Sequence, residues 1–247
     1  MLPGVINDTA ISAREKYQAF LDTVQGAVLN RVNSTDWADA RTLWSMALYL
    51  GQLNPQGRIL YEDLRLACSN AVAAIRDIAL EIKADLSEEE RRVLDGLGAS
   101  AIGEINQILL NCFTRDSESG YQVLRKYAIT ADMILSAKGN NKSQALILAK
   151  RQILNHHKFT QSDRAGRQWG SAHFVYVAIR MKLLDLYIDT LSYIYAKTGN
   201  DLVVVTFSND KKEVFSLSGV TPGYRSLVEE RKHVFHPRSE AYFEPVR

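Results

Sequence analysis

Cysteine is scarce in this sequence, one-sided charge is absent, and no long apolar run escapes interruption by charged residues. The two cysteines among 247 residues, Cys68 and Cys112, are too few for a disulfide scaffold of the kind that staples small secreted domains. Both fall inside apolar helical pattern, so two free, buried thiols in a reducing compartment are expected. A net charge of +2 excludes a strong field of either sign over the whole molecule. The most apolar stretch, Phe174 to Tyr195, carries Arg180, Lys182, Asp185 and Asp189, charges that a bilayer does not take readily. The first twenty residues lack a basic start followed by an apolar segment, so no signal peptide is expected. No glycine-rich phosphate loop, HExxH or GxSxG occurs, and the sequence predicts neither a cofactor nor an enzyme.

What is there is ordinary globular material, with 46% hydrophobic and 23% charged residues. The length suits one large domain or two small ones. Apolar positions at helical spacing predict a helix from about Ile11 to Val32. The stretch "NSTDWADARTLWSMALYLG" predicts a second, capped by Ser34 or Thr35 and stopped by Gly51. Asn54 to Gly57 reads as a turn before a long amphipathic helix. Ser87 with Glu90 three residues on is a capping box that opens the next helix. Gly96, Gly98 and Gly103 soften that helix. Two further helices are expected, from about Gly120 to Ala137 and from about Lys142 to Asn155.

The period then changes. "DLVVVTF" and "VFSLSG", joined by the polar "SNDKKE", predict a β-hairpin over about 201–218. A turn "VTPGY", a short helix "SLVEERKH" and an extended tail containing Pro237 and Pro245 follow. The fold class expected is mainly α: a helical body over 1–140 and, over 141–247, a small α+β region with hairpin and tail.

Candidate chemistry is thin. His156 and His157 are adjacent and point apart, and His233 and His236 lack cysteine partners. A metal site needs three or four convergent ligands, so none is expected. Residues 141–180 hold seven basic side chains (Lys142, Lys150, Arg151, Lys158, Arg164, Arg167 and Arg180) against the single acid Asp163. That local +6 leaves −4 for the rest of the chain. Such a stretch suits DNA phosphate or an acidic protein surface, and equally a solvated face.

On the helix from about Ser171 to Lys197, Lys182, Asp185, Asp189 and Ser192 form one stripe, assigned to solvent. His173, Val177, Leu184, Tyr187 and Leu191 form the opposite one, with Arg180 among them. A buried arginine needs a partner, and Asp163 is the candidate. In "DRAGRQW" (163–169) Gly166 then supplies a turn, Trp169 an apolar anchor and Asp163 the partner of Arg180, with Arg164 and Arg167 facing outward.

The succession "DRAGRQW", a helix with an inner arginine, "GNDLVVVTF", "KKEVFSLSGVTPGY" and His236-Pro237 resembles the C-terminal region of tailed-phage minor capsid (minor head) proteins, related to the Mu F-like head morphogenesis proteins. The match covers roughly 163–237, with weaker similarity through "NKSQALILAKRQI" upstream. The resemblance implies a virion component at the portal vertex, made in the host cytoplasm, that acts in head assembly, DNA packaging or ejection. Its implied partners are the portal protein and neighbouring head or neck proteins, with double-stranded DNA and a second copy of the chain as further candidates. Docking is expected through the helical N-terminal body. Family members often carry cysteines in the hairpin turn and after the His-Pro. Neither is present here, so no metal site is carried over. Ten residues follow Pro237, so no appended enzyme module is expected. The alternatives are a ring-forming head-to-tail adaptor or internal ejection protein, and a transferase toxin, for which no convincing catalytic set appears.

Overall fold

Apolar residues three and four apart carry the first half of the chain. The computed structural model describes residues 2–34, 54–138, 144, 147, 148, 158–163, 165–199, 201–207, 209–235 and 241–246. Helix α1 (Leu2–Ser34) buries Ile6, Ala10, Ala13, Tyr17 and Phe20 along one stripe. Helix α2 (Asn54–Ile82) does the same with Leu64, Cys68, Ala71, Ile75 and Ala79. Helix α3 runs unbroken from Glu88 to Lys138.

Three expectations change here. Asn54 and Pro55 open α2 instead of forming a turn, because a proline in the first helical turn gives up an N–H that has no partner there anyway. Gly120 does not separate two helices, and α3 passes through it. Gly98 is a site of close approach: a β-carbon there would meet Val72 Cγ1 at 3.0 Å. The helix predicted over 35–50 lies outside the described residues. Of the one over 142–155, Gln144, Ile147 and Leu148 are described, and all three are helical.

The capping box forms as expected. The Ser87 N–H donates to Glu90 Oε2 at 2.8 Å and the Glu90 N–H to Ser87 Oγ at 3.2 Å. Lys83 Nζ lies 2.6 Å from the same carboxylate. These bonds, that of Lys83 foremost, hold the Glu90 carboxyl down at about 2. Ser87→Ala is expected to cost about 1 kcal/mol in urea unfolding; an unchanged midpoint and slope would deny the cap a role.

The rest of the chain is built on β1 (Thr160–Ser162), β2 (Gln168–Gly170), α4 (Ser171–Thr198), β3 (Leu202–Thr206), β4 (Lys212–Ser216), α5 (Leu227–Val234) and β5 (Tyr242–Pro245). The predicted hairpin is β3–β4, and the tail adds a third strand, giving the antiparallel order β4-β3-β5. Val203 pairs with Phe215 and Val205 with Phe243, and all four side chains are buried on one face. Pro245 is tolerated because β5 is an edge strand. Ser226 caps α5 by accepting from the Glu229 N–H at 3.3 Å.

Helix α4 departs from the two-stripe expectation. Ile179, Leu183, Ile188, Leu191 and Ile194 are all fully buried, and the supposed solvent residues Lys182, Asp185, Asp189 and Ser192 are only half-exposed. A helix so apolar around its circumference is a central element, not a surface one.

The architecture is therefore mainly helical with a small antiparallel sheet near the C-terminal end. No described helix is long and apolar enough to cross a membrane. Two compact units are present. One comprises Met1–Ala13, Leu64–Ile108 and Tyr176–Arg247; the other comprises Arg14–Asp63 and Leu109–Val175. Their boundaries are interleaved along the chain, and none falls at residue 140. The first unit packs Ala79, Leu86, Leu94 and Ile194 together. The second gathers Tyr17, Phe20, Tyr61 and Phe113, with ring centroids 5.0 to 6.4 Å apart.

Candidate functional site

The segment "DRAGRQW" folds as the loop of a short hairpin. β1 and β2 pair in the register Thr160 to Gly170, and Gly166 takes a left-handed φ of 77° to turn the chain. Asp163 closes the loop. Its Oδ1 accepts from the backbone N–H groups of Ala165 (2.9 Å) and Arg167 (3.0 Å). Its Oδ2 accepts from Arg167 Nε (2.7 Å) and Trp169 Nε1 (3.1 Å). Burial opposes ionisation of this carboxyl more than any single bond favours it, but the four bonds together prevail and hold it at about 2.

Asp163 is thus not the partner of Arg180. Local donors two to six residues away saturate both carboxylate oxygens at little cost in chain entropy. Arg180 Nε donates instead to Asn7 Oδ1 at 2.9 Å. Trp169 is half-buried instead of an apolar anchor. His173 stacks on it at 5.5 Å and the Arg167 guanidinium lies 5.7 Å from its ring centre. His173 is exposed, not on an inner stripe. Arg167 faces outward as expected, but its charge is matched by Asp163, so the connector offers phosphate less than its basic count implies. Lys158 is exposed. Lys142, Lys150, Arg151, Arg164, His236 and Pro237 lie outside the described residues.

The sequence reading passed over a second polar cluster. Asp116 on α3 is 1% exposed and accepts from three separate segments. Tyr17 Oη on α1 donates at 2.6 Å, Gln161 Nε2 on β1 at 2.9 Å, and Ser171 Oγ at the start of α4 at 2.8 Å. Burial pushes its carboxyl above the ordinary range, against the pull of these bonds. The signal was present: Leu109, Cys112 and Asp116 continue the buried three-and-four spacing of α3. Cys112, one turn before Asp116, and Cys68 are both free and buried, and burial lifts each thiol to about 12.

A third cluster holds the loop after β4. Asp201, just before β3, accepts from the hydroxyls of Ser216, Ser218 (2.7 Å) and Thr221 (3.3 Å) and from the Ser218 N–H (2.8 Å). Ser216 Oγ in turn accepts from the N–H groups of Gly219 and Thr221. Gly219 is required twice over: its φ is 85°, and a β-carbon there would meet Ser226 Cβ at 2.9 Å. This bonded frame exposes Val220 (79%) and Tyr224 (45%) to solvent.

The arrangement is one of carboxylates engaged by fixed donors. A hollow of about 240 Å³ lined by Val72, Leu94, Gly98 and Leu186 also includes the ion pair of Arg76 with Asp95, 3.0 Å apart. The described residues include no group of three or more His, Cys, Asp or Glu side chains placed to hold a metal. Comparison with family models, with curated proteins and with solved structures yields no match to this chain.

Proposed function

We propose that the chain is a structural protein of a tailed-phage virion, a minor head protein seated at the portal vertex that acts in head assembly, DNA packaging or ejection. Two things support the reading. One is the ordered resemblance over 163–237. The other, which carries it furthest, is the loop between β4 and α5. Asp201 and Ser216 brace this segment, and it presents Val220 and Tyr224 outward. Apolar side chains on a pre-ordered loop bind a partner with little loss of conformational freedom, and the loop belongs to the resembling stretch "KKEVFSLSGVTPGY".

Truncation is a poor test, because removing residues 1–50 takes segments from both compact units. Point variants serve better. The double variant Val220→Asp, Tyr224→Asp should melt within about 2 °C of the parent, since exposed sites contribute little to stability. Its capture of the portal protein, and its copy number in particles counted by mass spectrometry, should fall at least about tenfold. Unchanged incorporation would remove the loop from the docking surface. Absence of the parent protein from particles would overturn the functional reading itself.

A further inference from the structure

Helices α2 and α3 approach closely at Val72 and Gly98, and beside that contact both carry small side chains. Ser69 and Ala73 stand one turn apart on α2, and Gly98 and Ala99 are neighbours on α3. Their shortness leaves the hollow of about 240 Å³, which lies wholly within the first compact unit. Val72, Ile75, Leu94, Ile102 and Leu186 give it apolar walls, and Ser69 and Thr190 add neutral hydroxyls. The charges among its lining residues are those of Arg76 and Asp95, 3.0 Å apart and both about half-exposed. An engineered apolar cavity of roughly 150 Å³ takes a benzene ring, so the larger hollow suits a ligand of roughly ten non-hydrogen atoms.

We propose that this hollow binds a free α-amino acid whose apolar side chain is of leucine size. The ligand carboxylate pairs with the Arg76 guanidinium and its ammonium with the Asp95 carboxylate, while its side chain enters among Ile75, Leu94 and Leu186. A ligand with both charges on one carbon matches a site that holds both charges within 3.0 Å. A ligand with a single charge takes one partner of the existing ion pair and strands the other. Opening that pair costs little, because ion pairs in contact with water contribute little. Burial of the apolar side chain supplies the net gain. Such binding does not depend on the virion role proposed above.

Equilibrium dialysis of the full chain against radiolabelled L-leucine should show saturable binding. Glycine lacks the side chain, isocaproate the ammonium and isoamylamine the carboxylate. Each should compete at least about tenfold more weakly than unlabelled L-leucine. Ala99→Leu fills the hollow from an exposed helical position. It should weaken L-leucine binding at least about tenfold while leaving the melting temperature close to the parent's. Arg76→Gln and Asp95→Asn, also exposed, should each weaken binding about tenfold. Absence of saturable L-leucine binding overturns the proposal. So does binding that Ala99→Leu leaves unchanged, or for which isocaproate or isoamylamine competes as well as L-leucine.

Discussion

Asp116→Ala is expected to lower the stability of the fold by about 3–5 kcal/mol. The carboxylate is the common acceptor for Tyr17, Gln161 and Ser171, and deletion takes it from three buried donors, leaving Gln161 Nε2 only its longer 3.5 Å contact with Ser171 Oγ. Tyr17→Phe removes one donor and leaves the other two engaged, and should cost about 1 kcal/mol. Because burial raises the Asp116 carboxyl above its ordinary 3.8, its folded form binds a proton more tightly than its unfolded form. The stability it contributes is therefore full below the ordinary value and declines as pH rises through the folded one. The difference between parent and Asp116→Ala should be widest in acid and narrow toward neutrality. Glu90 and Asp163 act in the opposite sense. Both are held at about 2, so what they contribute is present above the ordinary carboxylate range and is lost as pH falls through about 2. Urea unfolding of the parent and Asp116→Ala at several pH values measures both claims. A loss under about 1 kcal/mol, or a gap that widens toward neutral pH, would contradict the network described.

Phe243→Ala should be comparably severe, at about 3–5 kcal/mol. Phe243 is 1% exposed and its ring centre lies 4.7 Å from that of Tyr187 and 5.8 Å from that of Phe235. Truncation leaves a void facing α4 and α5 and weakens the pairing of β5 with Val203 to Thr206. Phe243 also lines a hollow at Arg180, so the variant admits water there as well. Thermal unfolding should shift down by roughly 10 °C for a chain of this size. Hydrogen exchange at Val205, which pairs with residue 243, should accelerate together with that loss. A shift of 1–2 °C would mean that the strand is not part of the cooperative fold.

Elements with strong local grammar were legible in the sequence. The Ser87–Glu90 box, the β3–β4 hairpin and the Ser171 start of α4 each rest on residues close together in the chain. Misreadings came where one local signal has two physical meanings. Asn54-Pro55 is as good a helix start as a turn. The Gly98 position reads as softness but marks the approach of Val72. Asp163 looked like a partner for a distant arginine because spacing alone does not reveal that Ala165, Arg167 and Trp169 already fill its oxygens. Asp116 was hidden inside the polar run "TRDSES", although it stands on the same stripe as Leu109 and Cys112. The tail read as extended, but its pairing with β3 depends on contacts about forty residues apart, which no local pattern encodes.

The interleaving of the two compact units sets an order of events during synthesis. Residues 2–13 belong with 64–108 and 176–247, so the last of the companions of the opening of α1 are made only after residue 175. Ile6, buried in the finished protein, shares the lining of a small hollow with Leu184, Tyr187 and Phe243, and these are made only after residue 175. Arg14–Asp63 and Leu109–Val175 complete their unit earlier. The first unit therefore stays incomplete until the end of synthesis, and its apolar surfaces wait for their last partners, a state that favours association with a holding chaperone. Fusions or tags that delay release of residues 176–247 should raise aggregation more than equal additions at the amino terminus.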